Sequence, residues 1–154
     1  MGISVELFCD LGDLPLFNPD LEANHPPVVA RLHAQLIAAD AVLIASPEYA
    51  HGISGVMKNA LDWIVGCEAF VNKPVASLNA SPRAVYAPAA LKQVMSALVV
   101  EGASIAVSML GSRLDEDGIF ADPAISCALR EALHALCDCS SAQIESRTVM
   151  KSIS

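Results

Sequence analysis

The sequence predicts an α/β fold: a parallel sheet with helices packed on both of its faces. Three observations carry that prediction. Apolar runs of strand length alternate along the chain with runs whose apolar residues recur at helical spacing. The strand-length runs include continuous ones, as expected of strands buried on both sides. The core material is aliphatic, with 54% apolar residues but only 5% aromatic. At 154 residues the chain has the size at which one core serves one domain, and no Pro/Gly/Ser-rich linker divides it. Residues 1–154 are therefore expected to form a single domain.

The elements follow in order. Ile3 to Phe8 (ISVELF) alternates and is rich in β-formers, which predicts a first strand. The next stretch, CDLGDLPLFNPDLEANHPP, is broken by Pro, Gly, Asn and Asp and predicts a loop. Pro26 and Pro27 suit a first helical turn, and Val28, Val29, Leu32, Leu36 and Ile37 recur at helical spacing up to Ala39. Ala41 to Ser46 (AVLIAS) predicts a strand buried on both faces. A helix from about Gly55 to Cys67, a strand from Pro74 to Ala80, a helix from Ala87 to Gly102, a strand from Ser104 to Leu110 and a closing helix near Pro123 to Cys139 complete the alternation. The last dozen residues, QIESRTVMKSIS, read as a tail with weak strand character. Strict β-α alternation implies parallel strands joined by right-handed crossovers.

Composition excludes several functions. The net charge is -8 and no cluster of Lys or Arg is longer than a dipeptide, which argues against a nucleic-acid partner. Uncharged runs fall well short of the ~20 residues of a membrane span, and the N-terminus lacks a basic start and apolar block, so a cytoplasmic protein without a membrane partner is expected. Five cysteines at irregular spacing (Cys9, Cys67, Cys127, Cys137, Cys139) fit no disulfide framework. Cys137 and Cys139 form C-x-C, which on a helix points to different sides and suits buried or half-buried thiols better than a chelate. His25, His33 and His134 are scattered, which gives a metal site little support.

In such a sheet ligands sit beyond the carboxyl ends of the strands, which directs attention to Ser46–Ser54, Ala80–Ala87 and Gly111–Asp122. The first of these is an unusual polar corner, SPEYAHGISG. Pro47 cannot continue a ladder, while Gly52 and Gly55 permit close approach of the backbone to a ligand. A planar heterocycle with carbonyl and nitrogen acceptors matches that corner. Amides at Glu48, Tyr49 and Ala50 would bond its edge, and Tyr49 and His51 would supply contact area.

SPEYAHGISGVMKNALDW resembles the P-E-Y-x-x-x-x-x-G-x-x-K-N-A-x-D-W signature of the NADPH-dependent FMN reductase family, with nine positions in register. That family includes bacterial quinone, azo-dye and chromate reductases of flavodoxin-like fold. Weaker likeness extends to DLGDLPLFNPDLE, ADAVLIASPEY, KPVASLNASP and DEDGIFADPAI, covering nearly the whole chain. The resemblance implies a flavodoxin-like, doubly wound parallel sheet. It also implies that Pro47, Glu48, Tyr49, Ala50, His51 and Gly52 lie against the ring of FMN, with Ser81 and Pro82 flanking its other side. The function implied is an FMN-dependent NAD(P)H oxidoreductase passing electrons to FMN, a quinone or a similar small-molecule acceptor, with the flavin rather than a side chain carrying the chemistry. A homodimer or homotetramer is expected. The rival class is a flavin-free, truncated homologue serving as a dimerisation or interaction module.

The chain departs from the family pattern in three places. Ala50 stands where the family usually has Asn, and Ser54 where Pro is frequent. SPRAVYAP replaces S-P-G-x-x-G-G, so that Arg83 stands for the first Gly and no glycine pair remains, which predicts a narrower flavin pocket. The family's usual first strand and its S-x-R-x-x-S phosphate loop have no counterpart before Ile3, and the similar string GSRLDEDG (Gly111 to Gly118) is acidic and follows the last strand. Because the first strand of the flavodoxin-like order is central, three arrangements are open: a truncated reading frame, a sheet in which Ile3 to Phe8 pairs directly with Ala41 to Ser46, or a strand from a partner chain.

Other residues carry plainer readings. Glu48 is expected on the ligand side of the corner, and His51 at a helix entry rather than as a general base. Ser46, Glu48 and His51 do not make a hydrolase triad, because GISG is not G-x-S-x-G and one tight corner does not give triad geometry. Lys58, Asn59, Asp62 and Trp63 share one helical surface, read either as exposed or, from the resemblance, as a dimer contact. Met57, Met95, Met109 and Met150 are expected as core or tail fillers. Arg83 is read equally as an aid to an anionic cofactor or as a solvated side chain.

Overall fold

The computed structural model describes residues 3–71, 73–79, 83–97, 103–106 and 116–153. Its elements run α1 (Pro27–Ala38), β1 (Val42–Ala45), β2 (Glu48–Tyr49), β3 (Gly52–Ile53), α2 (Gly55–Val65), β4 (Val75–Asn79), α3 (Tyr86–Ala97), β5 (Ala103–Ala106), α4 (Glu116–Ala121) and α5 (Pro123–Ile153). β1, β4 and β5 form a parallel sheet in that order. Val42 lies opposite Val75 and Ala45 opposite Leu78, while Ala76 lies opposite Ala103 and Asn79 opposite Ala106. The α/β alternation is as the sequence predicts, with boundaries within a few residues for α1, α2, α3, β1 and β4.

The helices begin where local chemistry allows. Pro27 occupies the first position of α1, where its missing N–H costs nothing, and Val29, Leu32, His33 and Leu36 bury one face at helical spacing. Ser54 caps α2, accepting from the Met57 amide at 3.2 Å. Asp122 caps α5 through the amides of Ala124 at 2.9 Å and Ile125 at 3.1 Å.

One apolar cluster joins α1 (Val29, Leu32, Leu36), α2 (Met57, Leu61, Ile64), α3 (Leu91, Met95), Ile44 of β1 and Val75 of β4. Met57 and Met95 are thus core fillers as expected; Met109 lies outside the described residues. α5 contacts β4 and β5 and buries Ile125, Ala132 and Leu136.

Three expectations are corrected. Residues 3–9 form no strand, so Ile3 to Phe8 does not pair with β1. A strand exists only by pairing; here Ile3, Val5 and Leu7 are exposed, while Glu6 accepts from the Gln35 side chain at 2.5 Å and Asp10 pairs with Arg31 at 2.6 Å, tying the segment to α1 instead. β1 is not buried on both faces: Ile44 is buried, but Leu43 and Ala45, which point the other way, are exposed. Among the described residues no strand pairs with its second edge. Finally, the C-terminal stretch is not a tail, because with neither Gly nor Pro to stop it α5 propagates to Ile153.

Candidate functional site

β1 ends at Ala45, and Pro47, with no N–H to donate, takes the chain off the sheet. The chain then folds back on itself. β2 and β3 pair antiparallel, with Glu48 opposite Ile53 and Tyr49 opposite Gly52. The two residues between them, Ala50 (φ 48°) and His51 (φ 59°), are both left-handed, the φ signs of a type I′ hairpin turn. Side chains other than Gly, Asn and Asp resist this conformation by about 1–2 kcal/mol each, so the corner stores strain. Nothing in Ala-His resembles the Asn-Gly or Asp-Gly signal of such a turn, and for that reason the hairpin is not visible in the sequence.

The turn leaves donors free. No main-chain hydrogen bond among the described residues uses the N–H of Ala50 or His51. A Cβ built at Gly52 would meet nothing nearer than the Tyr49 carbonyl oxygen at 3.9 Å, so the space before it is open.

The Glu48 side chain reaches from the corner to the helix that follows β4. Its Oε2 accepts from the amides of both Tyr86 and Ala87 at 2.8 Å. These are the first two residues of α3, whose N-terminal donors have no partner within the helix and whose positive dipole end favours an anion. The Glu48 side chain is only 14% exposed, and its Oε1 lies 3.8 Å from His51 Nδ1. The His51 ring meets the Tyr86 ring edge-on, centroids 4.7 Å apart and planes at 70°. Two chain segments, the corner after β1 and the start of α3, are thereby joined by a carboxylate below and an aromatic pair above.

Between them lies a small cleft, about 10 Å³ in volume, lined by Ser46 and Ile53, by Ser77 and Leu78 of β4, and by Ala87, Pro88 and Leu91 of α3. It sits at the carboxyl ends of β1 and β4, where parallel α/β sheets bind ligands. Of the site residues expected from sequence, Pro47, Glu48, Tyr49, Ala50, His51 and Gly52 fall together on the hairpin, whereas Ser81, Pro82 and residues 111–115 lie outside the described residues. Tyr86 and Ser77 are additions. The signal for Tyr86 was its position in SPRAVYAP, two residues before Pro88, at the start of the helix.

The second half of the motif does other work. Asn59 Oδ1 accepts from the Phe17 amide at 2.8 Å, and its Nδ2 donates to the carbonyls of Leu14 at 3.3 Å and Pro15 at 3.0 Å. Trp63 is 1% exposed, donates from Nε1 to the Pro15 carbonyl at 2.8 Å and packs edge-on against Phe17 at 5.0 Å. His33 Nε2–H donates to the Trp63 carbonyl at 2.9 Å; a carbonyl only accepts, which fixes the tautomer. Asn59 and Trp63 therefore clamp the loop before α1 onto α2, and the reading of Trp63 as a dimer contact is corrected. Lys58 and Asp62 pair with each other across one turn on the exposed side.

Comparison with known proteins agrees with this architecture. The model of the family described as NADPH-dependent FMN reductase matches residues 1–111. An NAD(P)H-dependent FMN reductase from Pseudomonas aeruginosa is 46% identical over 83 residues, covering 52% of this chain and 44% of that protein. An NADPH:quinone oxidoreductase from Arabidopsis thaliana is 47% identical over 64 residues, covering 40% of this chain and 32% of that protein. The matches thus span less than half the length of these two curated relatives. Among solved structures, the flavoenzyme NAD(P)H:(acceptor) oxidoreductase FerB from Paracoccus denitrificans superposes with a TM-score of 0.66 at 30% identity, covering 86% of this chain and 78% of that one.

Proposed function

Because the chain belongs to the NADPH-dependent FMN reductase family, we propose that it acts as an FMN-dependent NAD(P)H oxidoreductase that reduces FMN, a quinone or a similar small acceptor. The observation that carries this reading is the strained turn at Ala50 and His51, whose two amides have no main-chain acceptor among the described residues and which stands at the carboxyl end of a parallel strand. A flavin ring suits those surroundings. Its pyrimidine edge carries carbonyl and nitrogen acceptors for such amides, its flat body matches the apolar walls of Ile53, Leu78 and Pro88, and the open space before Gly52 admits close approach.

When bound, FMN supplies two-electron exchange, so that NAD(P)H, one proton and a quinone become NAD(P)⁺ and a hydroquinone. The chain's own residues bind and orient. Pro47 ends the strand, Glu48 holds the hairpin to α3, and Tyr49, Ala50, His51 and Gly52 form the edge that meets the ring, with Ser81 and Pro82 on its other side. No side chain serves as nucleophile or base.

The reading extends to a cytoplasmic homodimer or homotetramer. Five free cysteines suit a reducing compartment, and the exposed Leu43 on β1, whose second edge pairs with no strand among the described residues, suits cover by a second copy. Monomeric behaviour in sedimentation at micromolar concentration would contradict the assembly. The activity is tested by mixing the purified chain with FMN, removing free flavin and adding NADPH without oxygen. Retained yellow colour that bleaches, and then returns with p-benzoquinone, is expected; a colourless protein that retains no FMN contradicts the proposal.

A further inference from the structure

We propose that Glu48 is a positioning residue for the flavin, joining the turn at Ala50 and His51 to the start of α3 so that the two order together. The inference rests on the flavin-dependent reading above. α2 is capped by Ser54 and α5 by Asp122, each the residue just before its helix. The residue before α3 is Val85, whose side chain carries no acceptor and which stands 59% exposed. Pro88, in the first turn, has no N–H to satisfy. The first two amides of α3, at Tyr86 and Ala87, end instead on Glu48 Oε2 at 2.8 Å each. A helix without a local cap thus takes one from the corner after β1.

The same bonds constrain the corner as much as the helix. Glu48 lies opposite Ile53 at the base of the hairpin, whose turn holds Ala50 and His51 in left-handed backbones at φ 48° and 59°. A ladder of two residue pairs is a weak frame for such a turn, and strain of this kind persists only where the surroundings over-determine it. α3 supplies that restraint: its amides hold the Glu48 carboxylate, which is only 14% exposed, and the Tyr86 ring meets the His51 ring edge-on at 4.7 Å. Removing the carboxylate therefore frees the turn whose amides meet the flavin in that reading. Linkage makes the effect reciprocal: what an ordered α3 adds to FMN affinity, bound FMN adds to the order of α3. The Tyr86 and Ala87 amides then respond to a ligand they need not touch.

The experiment measures FMN affinity, from the change in flavin fluorescence, beside the urea midpoint in the wild type, Glu48→Ala, Glu48→Gln and the double variant Glu48→Ala with Val85→Asp. Glu48→Ala is expected to weaken FMN binding about tenfold, within the usual range of coupling between sites. Glu48→Gln keeps an acceptor oxygen and is expected to keep most of the affinity. Val85→Asp gives α3 a cap of its own, so the double variant is expected to recover the urea midpoint but not the affinity. Recovery of both would mean that Glu48 only caps a helix and would overturn the inference, as would wild-type affinity in Glu48→Ala. A second measurement needs no variant: amide hydrogen exchange at Tyr86 and Ala87 of the wild type is expected to slow when FMN is added. Unchanged exchange there with FMN bound overturns this inference alone. A wild type that takes up no FMN overturns the flavin reading and this inference with it.

Discussion

The carboxylate of Glu48 and the amide of Tyr86, 38 residues apart in sequence, lie 2.8 Å apart, and the Ala87 amide shares the same oxygen. A side chain from one candidate loop thus caps the helix that follows the other. Glu48→Ala would leave two helix N-terminal donors without an anion, at a cost of about 1–2 kcal/mol, comparable to the loss of an N-cap. Glu48→Gln, which retains an acceptor oxygen but no charge, is expected to lose less. Urea unfolding checks this through a lower midpoint at unchanged slope.

The strain at Ala50 gives a prediction of opposite sign. Its φ of 48° suits glycine or asparagine, so Ala50→Gly is expected to stabilise the chain by about 1 kcal/mol, relieving the left-handed penalty. Ala50→Val, branched at Cβ, is expected to destabilise it. Thermal or urea unfolding of the three proteins side by side decides the order.

Asn59 makes three hydrogen bonds to the backbone of residues 14–17. Asn59→Ala leaves the Phe17 amide and the Leu14 carbonyl without a side-chain partner, while the Pro15 carbonyl keeps Trp63, and a loss of about 2 kcal/mol is expected, with faster proteolysis between Cys9 and Asn24. Trp63→Phe keeps the ring but forfeits the bond to the Pro15 carbonyl, and about 1 kcal/mol is expected. Equal protease resistance in Asn59→Ala and the wild type would show that the loop does not depend on this clamp.

These particulars separate what a sequence displays from what it conceals. Val29, Leu32 and Leu36 announce α1 by their spacing, and the amphipathic run from Gly55 announces α2, because helix signals are local. The Pro47-to-Gly55 corner is visible for the same reason: a proline and two glycines punctuate it. Its hairpin is not, since left-handed Ala50 and His51 are imposed by the pairing of Glu48 with Ile53 rather than by their own preference. The partners of Glu48 at Tyr86 and Ala87 are not legible either, because the tertiary fold supplies them. Asn59 and Trp63 read as surface residues from helical spacing alone; what buries them is a loop whose course no periodicity encodes. Ile3 to Phe8 shows the converse, a strand-like pattern without a partner to pair with.

The most direct test of the central claim is an amide resonance titration of isotope-labelled protein with FMN. Saturable shifts are expected at Ala50 and His51, together with residues lining the cleft such as Ser77 and Leu78, while Val29 and Leu32 of α1 stay in place. Saturable binding that leaves the Ala50 and His51 amides unmoved would contradict the claim that this turn holds the flavin ring.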